Sequence, residues 1–391
     1  MANKKIIIGG NVFTGEEDFL ETGLAVLIEN KTIIQVGPED ELLSRNDDAE
    51  IIDAKGGTVM SGMIDCHRHI IALSGREATT DLITEGTLFG TIEARQAVHQ
   101  GITTVRDPGC KHMGIFSFKK FVDNGRIPGP SIYAAGPNPA SSSAPQTWRN
   151  IFADGESEVR KAVRFLYSSG ANWIKLVVSQ ATPESGWSEF VQFYSLEELT
   201  AAVEEAHALG LKVSGHIEGD LAVQNVVKAG FDAIEHGIDF SDETIKKMIE
   251  KNVIYVPTLI WSQGKLDNGF VPEEKKPDFR IRIKKHRDAA RRAISAGVMV
   301  ATGTDSPTTI SAPWCLVDEA VLLHEYGLSI PETLRALTLN GAKLIGIDDH
   351  VGKIAAGYDA DIIIVHANPF DNLENLKNLD LVIKHGKIIE R

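Results

Sequence analysis

The chain has 391 residues, 43% of them hydrophobic and 24% charged, with a formal net charge of −14. That length suits a barrel of ~250 residues plus an accessory domain, and the acidic balance excludes a nucleic-acid partner, which needs a basic footprint. No apolar run approaches the ~18 residues of a membrane span, and the three cysteines, Cys66, Cys110 and Cys315, read as reduced thiols of a cytoplasmic protein.

Residues 4 to about 58 are dense in strand signals broken by turns, as in Lys4-Lys-Ile-Ile-Ile-Gly-Gly, Gly23-Leu-Ala-Val-Leu-Ile-Glu-Asn and Thr32-Ile-Ile-Gln-Val-Gly. The texture returns in Asp361-Ile-Ile-Ile-Val and Leu381-Val-Ile-Lys-His-Gly-Lys-Ile-Ile. The expectation is one small β-sandwich domain built from both termini, residues 1–58 with 350–391.

Between them, residues 59–349 alternate strand and helix. The strand that ends in His67-Arg68-His69 comes first. Then follow Thr103-Thr-Val-Arg-Asp, Ile132-Tyr-Ala-Ala-Gly, Trp173-Ile-Lys-Leu-Val-Val, Lys212-Val-Ser-Gly-His, Ala233-Ile-Glu-His, Ile254-Tyr-Val-Pro and Val298-Met-Val-Ala-Thr-Gly-Thr-Asp. Helical patterns separate them, several ending in glycine (Gly101, Gly170, Gly210, Gly230, Gly297). Eight βα units predict an α/β protein with a TIM-like (β/α)8 barrel. Long loops are expected over 137–148 and 262–274, after strands three and seven, and the basic run Arg280 to Arg292 reads as an amphipathic barrel helix.

In a barrel, side chains at the C-terminal strand ends converge on one mouth. A strand sends alternate side chains to one face, so His67 and His69 point together while Arg68 points away. Lys175, His216, His236 and Asp305 come from the fourth, fifth, sixth and eighth strands. Taken singly, each has a plainer reading: a satisfied polar histidine, a paired lysine, a helix-capping aspartate. Together, four imidazoles, a lysine and a carboxylate aimed at one point suit divalent metal. His99, His207, His286 and His324 fall in outer helices and read as structural; His112 is undecided, and Glu218 reads as a strand-end ion pair.

Met60-Ser-Gly-Met-Ile-Asp-Cys-His-Arg-His, Gly101-Ile-Thr-Thr-Val-Arg-Asp, Ile234-Glu-His-Gly, Val256-Pro-Thr-Leu, Gly303-Thr-Asp and Gly352-Lys-Ile-Ala-Ala-Gly-Tyr-Asp-Ala-Asp-Ile together resemble the amidohydrolase superfamily. Within it the chain is similar to the imidazolonepropionase-like and Xaa-Pro dipeptidase (prolidase) branch. The resemblance implies that His67, His69 and Asp305 bind one divalent metal, zinc by default. It further implies that His216 and His236 bind a second, with Lys175, carboxylated by carbon dioxide, bridging the two. A carbamate turns the lysine cation into an anion with two metal-binding oxygens. It also implies cleavage of a dipeptide or N-acyl amino acid by a metal-bridging hydroxide, the pKa of water falling from near ~15.7 to about 7 on a metal. Asp305 then acts as general base and acid, and Lys175 counts with it as catalytic.

The pattern departs in the substrate pocket. Relatives often carry Gly-Gly-His after strand three and a tyrosine after strand seven. Here the chain has Gly136-Pro-Asn-Pro-Ala-Ser-Ser-Ser-Ala and Ile260-Trp261. Trp148, Arg149 and Trp261 are the candidate substrate contacts, with Trp187 nearby in sequence to strand four. The expected partner is a small molecule, and the sequence leaves room for a homo-oligomer. Alternative readings are a deaminase or a hydrolase opening a cyclic amide or imidazolone, and a scaffold without catalysis.

Overall fold

The computed structural model describes residues 4–71, 80–145, 150–181, 189–306 and 313–390. Its centre is parallel sheet. Met63–Asp65, Ile102–Asp107 and Ser131–Ala134 form one ladder. Asn150–Phe152, Asn138–Ala140, Trp173–Val177, Lys212–Glu218, Ala233–Ile238 and Ile254–Val256 form a second, in that spatial order. Each parallel pairing needs a crossover. The helices Gly155–Ser169, Leu196–Ala208, Asp220–Ala229 and Asp242–Glu250 supply the four from Asn138–Ala140 to Ile254–Val256, and Thr80–His99 and Gly114–Asp123 the two of the first ladder. Covered on both faces, Ile102–Asp107 and Trp173–Val177 are buried at every residue.

Single hydrogen bonds continue the two ladders. Asn172 N donates to Ala134 O at 2.9 Å, and Tyr255 N to Met299 O at 2.9 Å. Cys66 N donates to Thr302 O at 2.9 Å and Asp305 N to His67 O at 2.7 Å. The stretch 299–306 thus bonds on one side to Ile254–Val256 and on the other to the first strand. Among the described residues the sheet is two ladders joined by such bonds, not one continuous closed ladder.

The five glycines expected to end helices all have φ between 75° and 102°, a region closed to most side chains, so each turns the chain from helix into the next strand. The basic run lies in the helix Lys276–Ser295, which buries Phe279, Ile283, Ala289, Ala290 and Ala293.

Two loop expectations change. Within 137–148, Asn138–Ala140 is a strand. Within 262–274, the helix Leu259–Asp267 replaces loop up to Asp267. Local sequence hides that helix, because Gly264 lowers its propensity and Thr258 gives no side-chain cap. The cap comes from afar: Glu319 accepts the N–H groups of Leu259 and Ile260 at 3.0 and 2.7 Å.

The chain ends pair. Asn11–Phe13, Thr58–Ser61, Ile362–Val365, Leu379–Lys384 and Lys387–Ile388 make a five-stranded sheet. A four-stranded sheet orders Thr32–Pro38, Leu24–Glu29, Lys4–Ile8 and Glu50–Asp53. Ile7, Val26, Ile28 and Ile33 share an apolar cluster with Val59, Ile362, Ile364 and Ile383. Among the described residues, no helix is long and apolar enough to cross a membrane.

Candidate metal centre

His67, His69, His216, His236 and Asp305 meet at one end of the central strands. Ring centroids lie 5.4 Å apart for His67–His69, 5.0 Å for His67–His236 and 4.3 Å for His216–His236. Asp305 Oδ1 is 3.1 Å from His69 Nε2 and 3.5 Å from His67 Nε2. Ligand atoms of His67, His236 and Asp305 fall within 4.8 Å of one another. Lys175 is buried beside them, and its charge acts on His67, His236, Glu235 and Asp305.

Backbone irregularities aim these side chains. In the pairing of Lys212–Glu218 with Ala233–Ile238, His236 faces Ile217 and Ile238 faces Glu218, so Gly237 is an extra residue. The bulge holds His236 at φ 66°, and Asp305 sits at φ 50°. Bulges re-aim side chains next to active sites, and left-handed residues other than glycine cluster there.

The imidazoles are fixed from behind. His69 Nδ1 donates to Gly109 O at 2.7 Å, since a carbonyl only accepts. His67 Nδ1 is 2.8 Å from Glu235 Oε2. Burial alone would raise the Glu235 carboxyl, but the Arg106 guanidinium, hydrogen-bonded to its other oxygen, holds it below the usual range. It stays an acceptor, and His67 donates. His236 Nδ1 lies 2.7 Å from Thr258 Oγ1, whose one proton is donated to Pro257 O at 2.5 Å. Thr258 must therefore accept from His236.

By these partners, three imidazoles carry their proton on Nδ1 and turn the Nε2 lone pair inward. Burial, helped by Lys175, lowers His67 to about 4, so it is neutral at pH 7. Asp305 lies on that inward side, its Oδ1 facing the Nε2 atoms of His67 and His69. Lone pairs and a carboxylate oxygen thus converge within 3.1–3.5 Å. Acceptors facing acceptors repel unless a cation sits among them, so this donor set fits a divalent metal.

His216 Nε2 is 3.4 Å from Glu218 Oε1, and Glu218 takes a two-pronged bond from Arg282 at 3.0 and 2.6 Å. The ion pair expected of Glu218 is present and reaches the site. His286, expected to be structural in an outer helix, is buried and donates from Nε2 to His236 O at 2.8 Å. His112 Nδ1 accepts from Gly114 N at 3.0 Å within its own turn.

Trp261 lies on Leu259–Asp267, with its ring 6.3 Å from Phe279 and the Lys265 ammonium 3.7 Å from its centroid. Trp148, Arg149 and Trp187 lie outside the described residues. Sequence reasoning missed Glu235, Arg106, Thr258 and Lys265. The one available signal was Glu235 itself, a carboxylate inside an apolar strand.

The Amidohydrolase family profile matches residues 58–389. Ochratoxinase from Aspergillus niger is 27% identical over 433 residues, covering 100% of this chain and 87% of the relative. Imidazolonepropionase from Geobacillus kaustophilus is 27% identical over 406 residues, covering 95% and 90%. The crystal structure of a Xaa-Pro dipeptidase with bound methionine in its active site superposes with a TM-score of 0.85 at 28% identity, covering 100% of both chains. These neighbours imply the TIM-barrel fold. The chain belongs to the amidohydrolase family, in its imidazolonepropionase and prolidase branch, and is a hydrolase acting on C–N bonds.

Proposed function

We propose that the chain hydrolyses an amide bond of a small amino-acid-like compound, a dipeptide or an N-acyl amino acid, at a centre for two divalent metal ions. His67, His69 and Asp305 would hold one ion and His216 and His236 the other, with Lys175 as a carbamate between them. Zinc suits this mixture of imidazole and carboxylate. The carrying observation is the convergence of the His67 and His69 Nε2 atoms on the Asp305 carboxylate at 3.5 and 3.1 Å, with the Nδ1 atoms of both rings occupied from behind. When bound, the ions supply Lewis acidity toward the scissile carbonyl and a water-derived nucleophile at neutral pH.

The chain's own residues do the rest. Asp305 Oδ1, ionised and flanked by two imidazoles, accepts the proton of the attacking water and returns it to the leaving nitrogen. Glu235, Gly109 O and Thr258 keep three imidazoles in register while that happens. Trp261 offers an aromatic wall on the helix after the seventh strand.

Elemental analysis of the purified chain tests the centre, with two metal equivalents expected. A panel of dipeptides, N-acyl amino acids and cyclic imides tests the reaction, with a carboxylate and an amine as the expected products. The likeness to imidazolonepropionase favours a second reading, ring opening of a cyclic amide or deamination. One metal equivalent, with ring opening or ammonia release and no linear amide cleaved, would establish that reading instead.

The same reading takes 59–349 as a (β/α)8 barrel and 1–58 with 350–391 as one β-sandwich. Bonds from 299–306 to the first and seventh strands support the former, and the shared apolar cluster of both termini supports the latter.

A further inference from the structure

Two cations flank the Trp261 ring. The Arg282 Cζ lies 5.9 Å from its centroid, and Arg282 donates two hydrogen bonds to the carboxylate of Glu218. The Lys265 ammonium sits on the ring at 3.7 Å, and among the described residues it has no carboxylate within ion-pair distance. The anion whose charge it feels is Asp305, the proposed proton carrier. Lys265 is half-buried, and burial lowers it to about 8, with Asp305 opposing. A sheltered ammonium held on the aromatic face that Arg282 also flanks, with Glu218 linking Arg282 to His216 at 3.4 Å and with no carboxylate partner of its own among the described residues, is placed to receive one.

The helix presents it there by construction. Trp261 and Lys265 are four apart, on one face of Leu259–Asp267. Gly264, between them, lets Trp314 pack so closely that a Cβ would come within 2.4 Å of its ring. Glu319 ties the helix's first N–H groups to the helix Leu316–Glu325. The helix that carries Lys265 is therefore held on both sides.

We propose that Lys265 seats the carboxylate of the substrate, so that the enzyme selects amides bearing a free carboxylate over the same amides with that group neutralised. This rests on the amide-hydrolase reading above and adds Lys265 to the candidate substrate contacts. An ammonium is a point charge with rotatable donors, suited to carboxylates that approach at varied angles.

The test compares an N-acyl amino acid with its carboxamide on the metal-loaded full-length chain. Wild type is expected to favour the acid by about 100-fold in kcat/KM, roughly the worth of one charge-assisted bond of ~2–3 kcal/mol. Lys265→Met should raise KM for the acid at least tenfold with kcat little changed, collapsing the preference, and Lys265→Arg should restore part of it. Calorimetric binding of the free amino-acid product should weaken at least tenfold in Lys265→Met, a readout independent of turnover. Metal content and thermal midpoint check folding, with Lys265→Gln as a second variant should the first misfold. Equal loss on acid and carboxamide, or no wild-type preference between them, overturns the assignment. Failure of wild type to cleave either compound, while it still binds the carboxylate through Lys265, overturns the reaction instead.

Discussion

The floor and the rim of the site are built differently. On the floor, both oxygens of Glu235 are engaged, one by Arg106 and the other by His67, and Arg106 also donates to Cys66 O and stacks on Trp173. On the rim, the indole N–H groups of Trp261 and Trp314 are buried without a partner among the described residues, and Lys265 rests on a ring. Around Glu235 and Arg106 the floor meets its own polar demands through neighbouring strands. The rim leaves donors open, which is how a surface that must accept something from outside differs from one that must only hold still.

If that contrast is right, the largest effect comes from cutting the floor. Glu235→Ala strands the Arg106 guanidinium in a dry core and should cost about 3–5 kcal/mol of stability, read by urea denaturation. An unchanged midpoint would mean the floor is not held by this pair. Next is Thr258→Val, which removes the acceptor behind His236 while keeping shape. Metal affinity is expected to fall ~10–100-fold in competition with a chelator, with the fold intact.

A rim change should separate from both. Gly264→Ala forces a methyl against Trp314 and should cost about 1–3 kcal/mol. Its signature is a raised KM at full metal content, and metal loss would show that rim and floor are one unit.

The smallest effect concerns pH. Burial pushes Glu319 up to about 8, against the N–H groups of Ile260 and Leu259, from an ordinary 4.5. The folded chain therefore binds this proton more tightly than the unfolded one. Its contribution is full below about 4.5 and is lost as pH rises through about 8. Glu319→Gln should flatten that part of the thermal midpoint's pH profile, and an identical slope in the variant would assign it elsewhere.

What could be read from sequence follows the same divide. His67 and His69, two apart, share a face by the geometry of any strand, and Lys175, His216 and His236 each lie within a short strand-like run. Glu235 was not legible because its partners, His67 and Arg106, lie 168 and 129 residues away. The helix bearing Lys265 was hidden for a similar reason, its cap being supplied by Glu319 some 60 residues on. Periodicity reports which way a side chain faces, whereas long-range pairing decides what it meets.

The bonds that tie Asp305 and Thr304 to the first strand set an order of events at the ribosome. Thr304 Oγ1 donates to Asp65 Oδ2 at 2.7 Å across 239 residues of sequence, and Asp305 N to His67 O at 2.7 Å. At ~5–20 residues per second, the histidine pair emerges on the order of 10–50 s before the aspartate that completes its set. During that interval the nascent chain offers two imidazoles without their carboxylate, a weak and unselective ligand pair. On the metal-centre reading proposed above, choice of metal would be deferred until synthesis has passed Ser306 and the last strand can dock beside the first.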